Sequence, residues 1–189
     1  MEKKNFWNEY FSIPNILGYI RLILACCYLF VCYRATSKED YYVAGAIIGI
    51  SMITDFLDGK IARHFHMITD WGKILDPVAD KVTLGVIVLS FLWRYPFSKA
   101  VFIVLIGKEG FMFLAGLWLM KQGWRTSGAI FIGKVCTAML YLISILLLLI
   151  PNMNLTIVNG LFLFEIILMI LTLLSYMKLY YKTAKQLKV

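Results

Sequence analysis

The chain has 189 residues, 61% of them apolar and only 16% charged, with a formal net charge of +8. A soluble globular domain runs nearer half apolar and a quarter charged, so the composition excludes one and points to an integral membrane protein. The length suits a single domain over 1–189, with room for about six spans of roughly 20 residues.

In chain order, the first element is Met1-Glu-Lys-Lys-Asn-Phe-Trp7, read as a short interfacial amphipathic helix. No short cleavable leader is expected ahead of the first span. Spans are expected at 13–33, 41–62, 72–94, 97–120, 127–150 and 155–177. The second carries Asp55 and Asp58 near its end. Arg94-Tyr-Pro96-Phe-Ser-Lys99 divides the third from the fourth, because proline and polar residues mark a turn. The fifth contains the apolar run 140–150 and is closed by Pro151. Cys26, Cys27, Cys32 and Cys136 fall inside spans without metal-ligand spacing and are read as small hydrophobes. The predicted fold is all-α: a bundle of six transmembrane helices with no internal repeat.

Basic residues set the expected orientation. With the amino terminus inside, the inner segments hold Lys3, Lys4, Lys60, Arg63, Lys73, Lys121, Arg125, Lys178, Lys182, Lys185 and Lys188. The outer loops hold Arg34, Lys38, Arg94 and Lys99. Eleven against four places both termini at the cytoplasmic face of the cell membrane. The positive charge then belongs to an anionic inner leaflet, and no nucleic-acid partner is needed to explain it.

Between Asp55 and Asp80 the chain concentrates its chemistry. It reads Asp55-Phe-Leu-Asp58-Gly59-Lys-Ile-Ala62-Arg63, then eight residues, then Gly72-Lys-Ile-Leu-Asp76-Pro77-Val-Ala-Asp80. The carboxylates form an i,i+3 pair and an i,i+4 pair, each on one helix face. One ionised Asp at the centre of a bilayer helix costs about 2.5–3.5 kcal/mol, so four together require a positive partner. Carboxylate oxygens suit a hard cation such as Mg²⁺ or Mn²⁺, and four of them suffice for two ions. Gly59 and Ala62 leave space for a flat ligand, and Arg63 suits phosphate oxygens. Together these read as a nucleotide-diphosphate site. Pro77 fits the first turn of the following helix. Asp70 stands apart and reads as a solvated or capping residue.

At every defined position this run matches the signature of the CDP-alcohol phosphatidyltransferase family, which the chain closely resembles. The resemblance implies a six-helix, metal-dependent, homodimeric membrane enzyme that displaces CMP from a CDP-linked donor with an alcohol. It makes Asp55, Asp58, Asp76 and Asp80 metal ligands, with Asp80 also the general base. It assigns Asp58, Gly59, Ala62, Arg63 and Gly72 to the donor.

The acceptor is read from the rest of the chain. Pro14-Asn15-Ile-Leu-Gly18-Tyr-Ile-Arg21 resembles the Pro-Asn-x-x-Thr-x-x-Arg opening of the branch that uses glycerol-3-phosphate, with Gly18 in place of threonine. Gly133-Lys134-Val-Cys136-Thr137 is similar to that branch's Gly-Lys-x-Lys-Thr, with Cys136 for the second lysine, and Lys108-Glu109 stands where it has Arg-Glu. A basic pocket drawn from Arg21, Lys108, Arg125 and Lys134 would suit an acceptor that carries its own phosphate. The expected reaction joins CDP-diacylglycerol to glycerol-3-phosphate, with phosphatidylglycerol, inositol phosphate or serine as other acceptors. Lys108-Glu109 is either a self-neutralising pair or a functional one. Glu165 has no evident partner. From another class, a cation transporter is the alternative for the acidic cluster.

Overall fold

The computed structural model describes residues 9–65, 67, 69–122 and 130–187. Among these lie six helices and no strand: α1 (Ile13–Arg34), α2 (Lys38–His64), α3 (Gly72–Phe91), α4 (Ser98–Lys121), α5 (Phe131–Leu149) and α6 (Leu155–Leu187). Pro14 occupies the first turn of α1, where its missing N–H costs nothing. α2 begins with a capping box: Ser37 Oγ accepts from Asp40 N at 3.2 Å, and Asp40 Oδ2 accepts from Ser37 N at 2.8 Å.

Five helices are long and apolar enough to cross a bilayer, so the protein is a multi-pass membrane protein. The expected third span is the exception. α3 has 20 residues, but Lys73, Asp76, Asp80 and Lys81 make it too charged to qualify by composition. The expected interfacial stretch Met1–Trp7 lies outside the described residues. The last helix runs ten residues past the expected 177. Hydropathy reports where apolar residues end, whereas helical hydrogen bonds are internal and continue through Lys178, Lys182 and Lys185 into a polar surround. Pro77 also lies deeper than expected, as the sixth residue of α3. It removes the amide that would bond the carbonyl of Lys73, yet the helix continues.

The chain forms two compact units. The first gathers α1, α2 and α3, with α1 packed against both others. α1 and α3 run in the same direction, since their contacts ascend together: Gly18 meets Leu75, Arg21 meets Asp80, and Tyr28 Oη lies 2.6 Å from Ser90 Oγ. Gly18 permits this approach, because a Cβ there would stand 2.9 Å from Leu75 Cδ2. Ala25, Ala44, Ile48, Ile87 and Val88 are among the residues that fill the interior.

The second unit holds α4, α6 and most of α5, with α4 packed against α6. Gly133 of α5 sits against Tyr176 of α6, whose hydroxyl accepts from Ile130 N at 3.1 Å. Large apolar side chains such as Ile23, Ile103, Leu114 and Phe131 point outward. That arrangement suits a lipid surround rather than water.

Candidate active site

Arg21 is the centre of the charged cluster in the first unit. Its Nη1 lies 2.6 Å from Asp55 Oδ1 and 2.5 Å from Asp80 Oδ1, and its Nη2 pairs with Asp58 Oδ2. Three carboxylates from two helices therefore converge on one guanidinium carried by a third. The planar fork of arginine allows this, presenting several donors in fixed directions where a lysine would offer one point charge. The fourth carboxylate, Asp76, is half-buried beside them, and its Oδ1 is buried without a hydrogen-bond partner.

Exposure divides the cluster into a sealed side and an open one. The side chains of Arg21 and Asp58 are only 1% and 6% exposed, whereas those of Asp55 and Asp80 are 53% and 48% exposed. Two carboxylates thus anchor on the buried arginine and still present oxygens outward.

Among the described residues, no three acidic, imidazole or thiol side chains form a ready metal cage. The Arg21 guanidinium takes the point on which the carboxylates converge. The donor set nevertheless fits a hard divalent cation, being entirely carboxylate, with one buried Asp76 oxygen uncommitted and two half-open partners.

The small residues of the motif differ in their surroundings. Above Gly59 the nearest atom to an added Cβ is Arg63 Nη2, at 3.7 Å, so this helix surface is open apart from a flexible cation. Ala62 is half-buried and Arg63 exposed, and a groove lined by Lys60, Ile61, Arg63, His64 and Phe65 opens at this end of α2. Lys60 Nζ lies over the Phe56 ring, 4.4 Å from its centroid. At Gly72 an added Cβ would stand 2.7 Å from Asn15 Oδ1 and 2.9 Å from Thr69 Oγ1, so protein already fills that space.

The four acceptor candidates do not share one setting. Arg21 belongs to the carboxylates. Lys108, buried in the second unit, pairs with Glu109 Oε1 at 3.0 Å and approaches Cys136 Sγ at 3.8 Å. Lys134 is exposed on α5, and Arg125 lies outside the described residues. Adjacent helix positions point apart, yet the long Lys108 side chain folds back to its neighbour. Glu165, without an evident partner in the sequence, accepts from the Cys136 thiol at 3.5 Å. Asp70 is an exposed partner of Lys73, at 2.8 Å, as expected. Asn15 and Thr69 were not singled out as site residues; the available signal was a threonine three residues before Gly72, the spacing of a helix cap.

A family model described as CDP-alcohol phosphatidyltransferase matches residues 11–177. The chain belongs to the CDP-alcohol phosphatidyltransferase family, and it is a membrane enzyme of that kind. A CDP-diacylglycerol–glycerol-3-phosphate 3-phosphatidyltransferase of Aquifex aeolicus is 31% identical over 171 residues, covering 87% of this chain and 92% of that one. The Escherichia coli K12 protein with the same name is 31% identical over 133 residues, 67% of this chain and 71% of that one. A CMP-forming cardiolipin synthase of Streptomyces coelicolor is 29% identical over 141 residues, 72% of this chain and 65% of that one. The match spans both halves of the acidic motif and five of the six helices in full, and ends within α6.

Proposed function

We propose that the enzyme transfers a phosphatidyl group from CDP-diacylglycerol to glycerol-3-phosphate, giving phosphatidylglycerophosphate and CMP. The observation that carries this reading is the convergence of Asp55, Asp58 and Asp80 on Arg21, with an uncommitted Asp76 oxygen beside them. Two relatives covering most of the chain carry the name of this reaction.

Asp55, Asp58, Asp76 and Asp80 would hold two divalent ions, Mg²⁺ or Mn²⁺. When bound, such ions neutralise the donor diphosphate and the CMP that leaves. The open face of α2 at Gly59 and Ala62 admits the cytidine, and Arg63 binds the diphosphate. Asp80 serves as the base. Its carboxylate accepts the proton of the acceptor hydroxyl, the hydroxyl oxygen bonds to the phosphorus bearing diacylglycerol, and the bond from that phosphorus to CMP breaks. Arg21 orients Asp80 by holding Oδ1. Asp58, sealed behind the guanidinium, keeps Arg21 in place.

The excess of inner basic residues supports a cytoplasm-facing site in the cell membrane, with both termini on that side. The family resemblance supports a homodimer. One observation favours a second acceptor, phosphatidylglycerol. Cys136 stands where the glycerol-3-phosphate branch has a second lysine, and Lys108 is already engaged by Glu109.

CMP release by the purified protein tests both readings. With CDP-diacylglycerol and Mg²⁺ or Mn²⁺, glycerol-3-phosphate should support turnover and a chelator should stop it. Turnover with phosphatidylglycerol alone would replace the first acceptor by the second. No CMP release with any alcohol would overturn the reaction.

A further inference from the structure

The loop from α2 to α3 is tied to the start of α1 by a closed set of hydrogen bonds. Asn15, 1% exposed, donates from Nδ2 to Thr69 Oγ1 at 3.1 Å and to the Glu9 carbonyl at 2.7 Å. Thr69 Oγ1 donates to Asn15 Oδ1 at 3.2 Å and accepts the Gly72 amide at 2.9 Å. The hydroxyl thus uses its one proton and both lone pairs. Trp71 is held on both sides: its amide donates to Glu9 Oε1 at 3.0 Å, and its indole donates to Tyr19 Oη at 2.7 Å.

Gly72 is the first residue of α3 and lies on the helix face that continues one and two turns later through Asp76 and Asp80. A rigid helix carries the placement of its first residue to its later ones, and a slip of one position turns each by about 100°. The absence of a side chain at Gly72 lets Asn15 and Thr69 close on the backbone, since any Cβ would stand within 3 Å of both. Six residues past Asn15, the same α1 places Arg21 on Asp80.

We infer that Asn15 and Thr69 are positioning residues: their clasp on the Gly72 amide sets the register of α3 and so the placement of Asp76 and Asp80. The inference rests on the proposed reaction for its kinetic consequence and on geometry alone for its structural one. The donor groups Gly59, Ala62 and Arg63 lie on α2, outside the clasp, whereas the base lies on α3. Loss of the clasp should therefore lower kcat more than it raises the donor KM, which it reaches only through the ions that Asp76 and Asp80 would hold.

Thr69→Val removes the hydroxyl at constant shape, and Thr69→Ser keeps it. In the full-length protein in detergent, Thr69→Val and Asn15→Ala should each lower kcat roughly tenfold to a hundredfold per folded molecule. The donor KM should change less than kcat, and Thr69→Ser should behave like wild type. Hydrogen–deuterium exchange should quicken across 69–80 in Thr69→Val and not in Thr69→Ser. Gly72→Ala should be damaging, and the damage should be non-additive with Asn15→Ala, because the two share one volume.

A wild type without CMP release would sink the proposed reaction, while the exchange measurement would still decide the clasp. Wild-type exchange and kcat in Thr69→Val would overturn the clasp. So would a Gly72→Ala variant whose one defect is a raised donor KM, unchanged by Asn15→Ala. If Thr69→Val does not fold, Asn15→Ala with the same two readouts decides.

Discussion

Both compact units bury a basic side chain against carboxylates, and they do so in opposite ways. In the first, Arg21 is sealed while two of its three partners, Asp55 and Asp80, remain about half exposed. In the second, Lys108 pairs with Glu109, whose side chain is only 19% exposed, and the chain of contacts runs inward through Cys136 to a fully buried Glu165. Glu165 Oε2 has no hydrogen-bond partner there. A guanidinium holds several carboxylates at once and leaves their other oxygens for a ligand; an ammonium folded onto its neighbour leaves nothing outward. The first cluster has the form of a site, the second that of an anchor among helices.

That contrast breaks most sharply at Asp80. Asp80→Asn should lower CMP release by about 10²–10⁴-fold, the usual scale for losing a general base, and should spare most donor binding. Asp58→Asn should weaken donor and metal binding together, as read by titration with CDP-diacylglycerol and with Mn²⁺. Equal donor affinity in the two variants would contradict the separate roles.

Next in size is Arg21 itself. Arg21→Ala leaves three carboxylates around an uncompensated space, and removing one partner of a buried ion pair costs about 3–5 kcal/mol. Thermal melting should show that loss, and Arg21→Lys should recover only part of it, because a point charge cannot bridge three partners. Full recovery by lysine would mean that charge alone, without the fork, organises the cluster.

The second unit should respond through stability alone. Glu165→Gln, which keeps an acceptor for the Cys136 thiol, should shift stability by about 1–3 kcal/mol and leave kcat and both KM values in place. A selective rise of the acceptor KM in Glu165→Gln or Lys108→Met would make the second cluster part of the acceptor site and dissolve the contrast. The smallest effect is expected at Gly59. Gly59→Ala should stabilise α2 by about 1 kcal/mol, since the added methyl meets only the far end of Arg63. If the donor lies on that face, the same methyl raises the donor KM, and the two measurements move in opposite senses.

Several of these features were legible from residue order. The helices α1, α2, α4 and α5 begin and end within four residues of the expected spans, because turn residues and hydropathy act locally. The Asp55–Asp80 motif was legible from spacing as two pairs of carboxylates, each on one helix face. Lys108–Glu109 and Asp70–Lys73 are close pairs in the sequence and close pairs in space. Arg21 was legible as a functional cation but was assigned to an acceptor phosphate, and no local pattern shows that it meets Asp58 and Asp80, 37 and 59 residues away. Gly72 was read as room for a ligand, and the nearness of Asn15 and Thr69 was not visible there, because spacing reports a missing side chain and not its neighbours.

Composition, periodicity and motif spacing by themselves determined a helical membrane protein with four carboxylates in two pairs, since hydropathy, helical period and motif spacing are properties of a single stretch of chain. Only the tertiary structure decided which cation those carboxylates face, and that Asn15 and Thr69 close on Gly72. Both depend on α1 lying alongside α3 in one direction, with Gly18 bringing the two close enough for side chains 54 to 62 residues apart to bond.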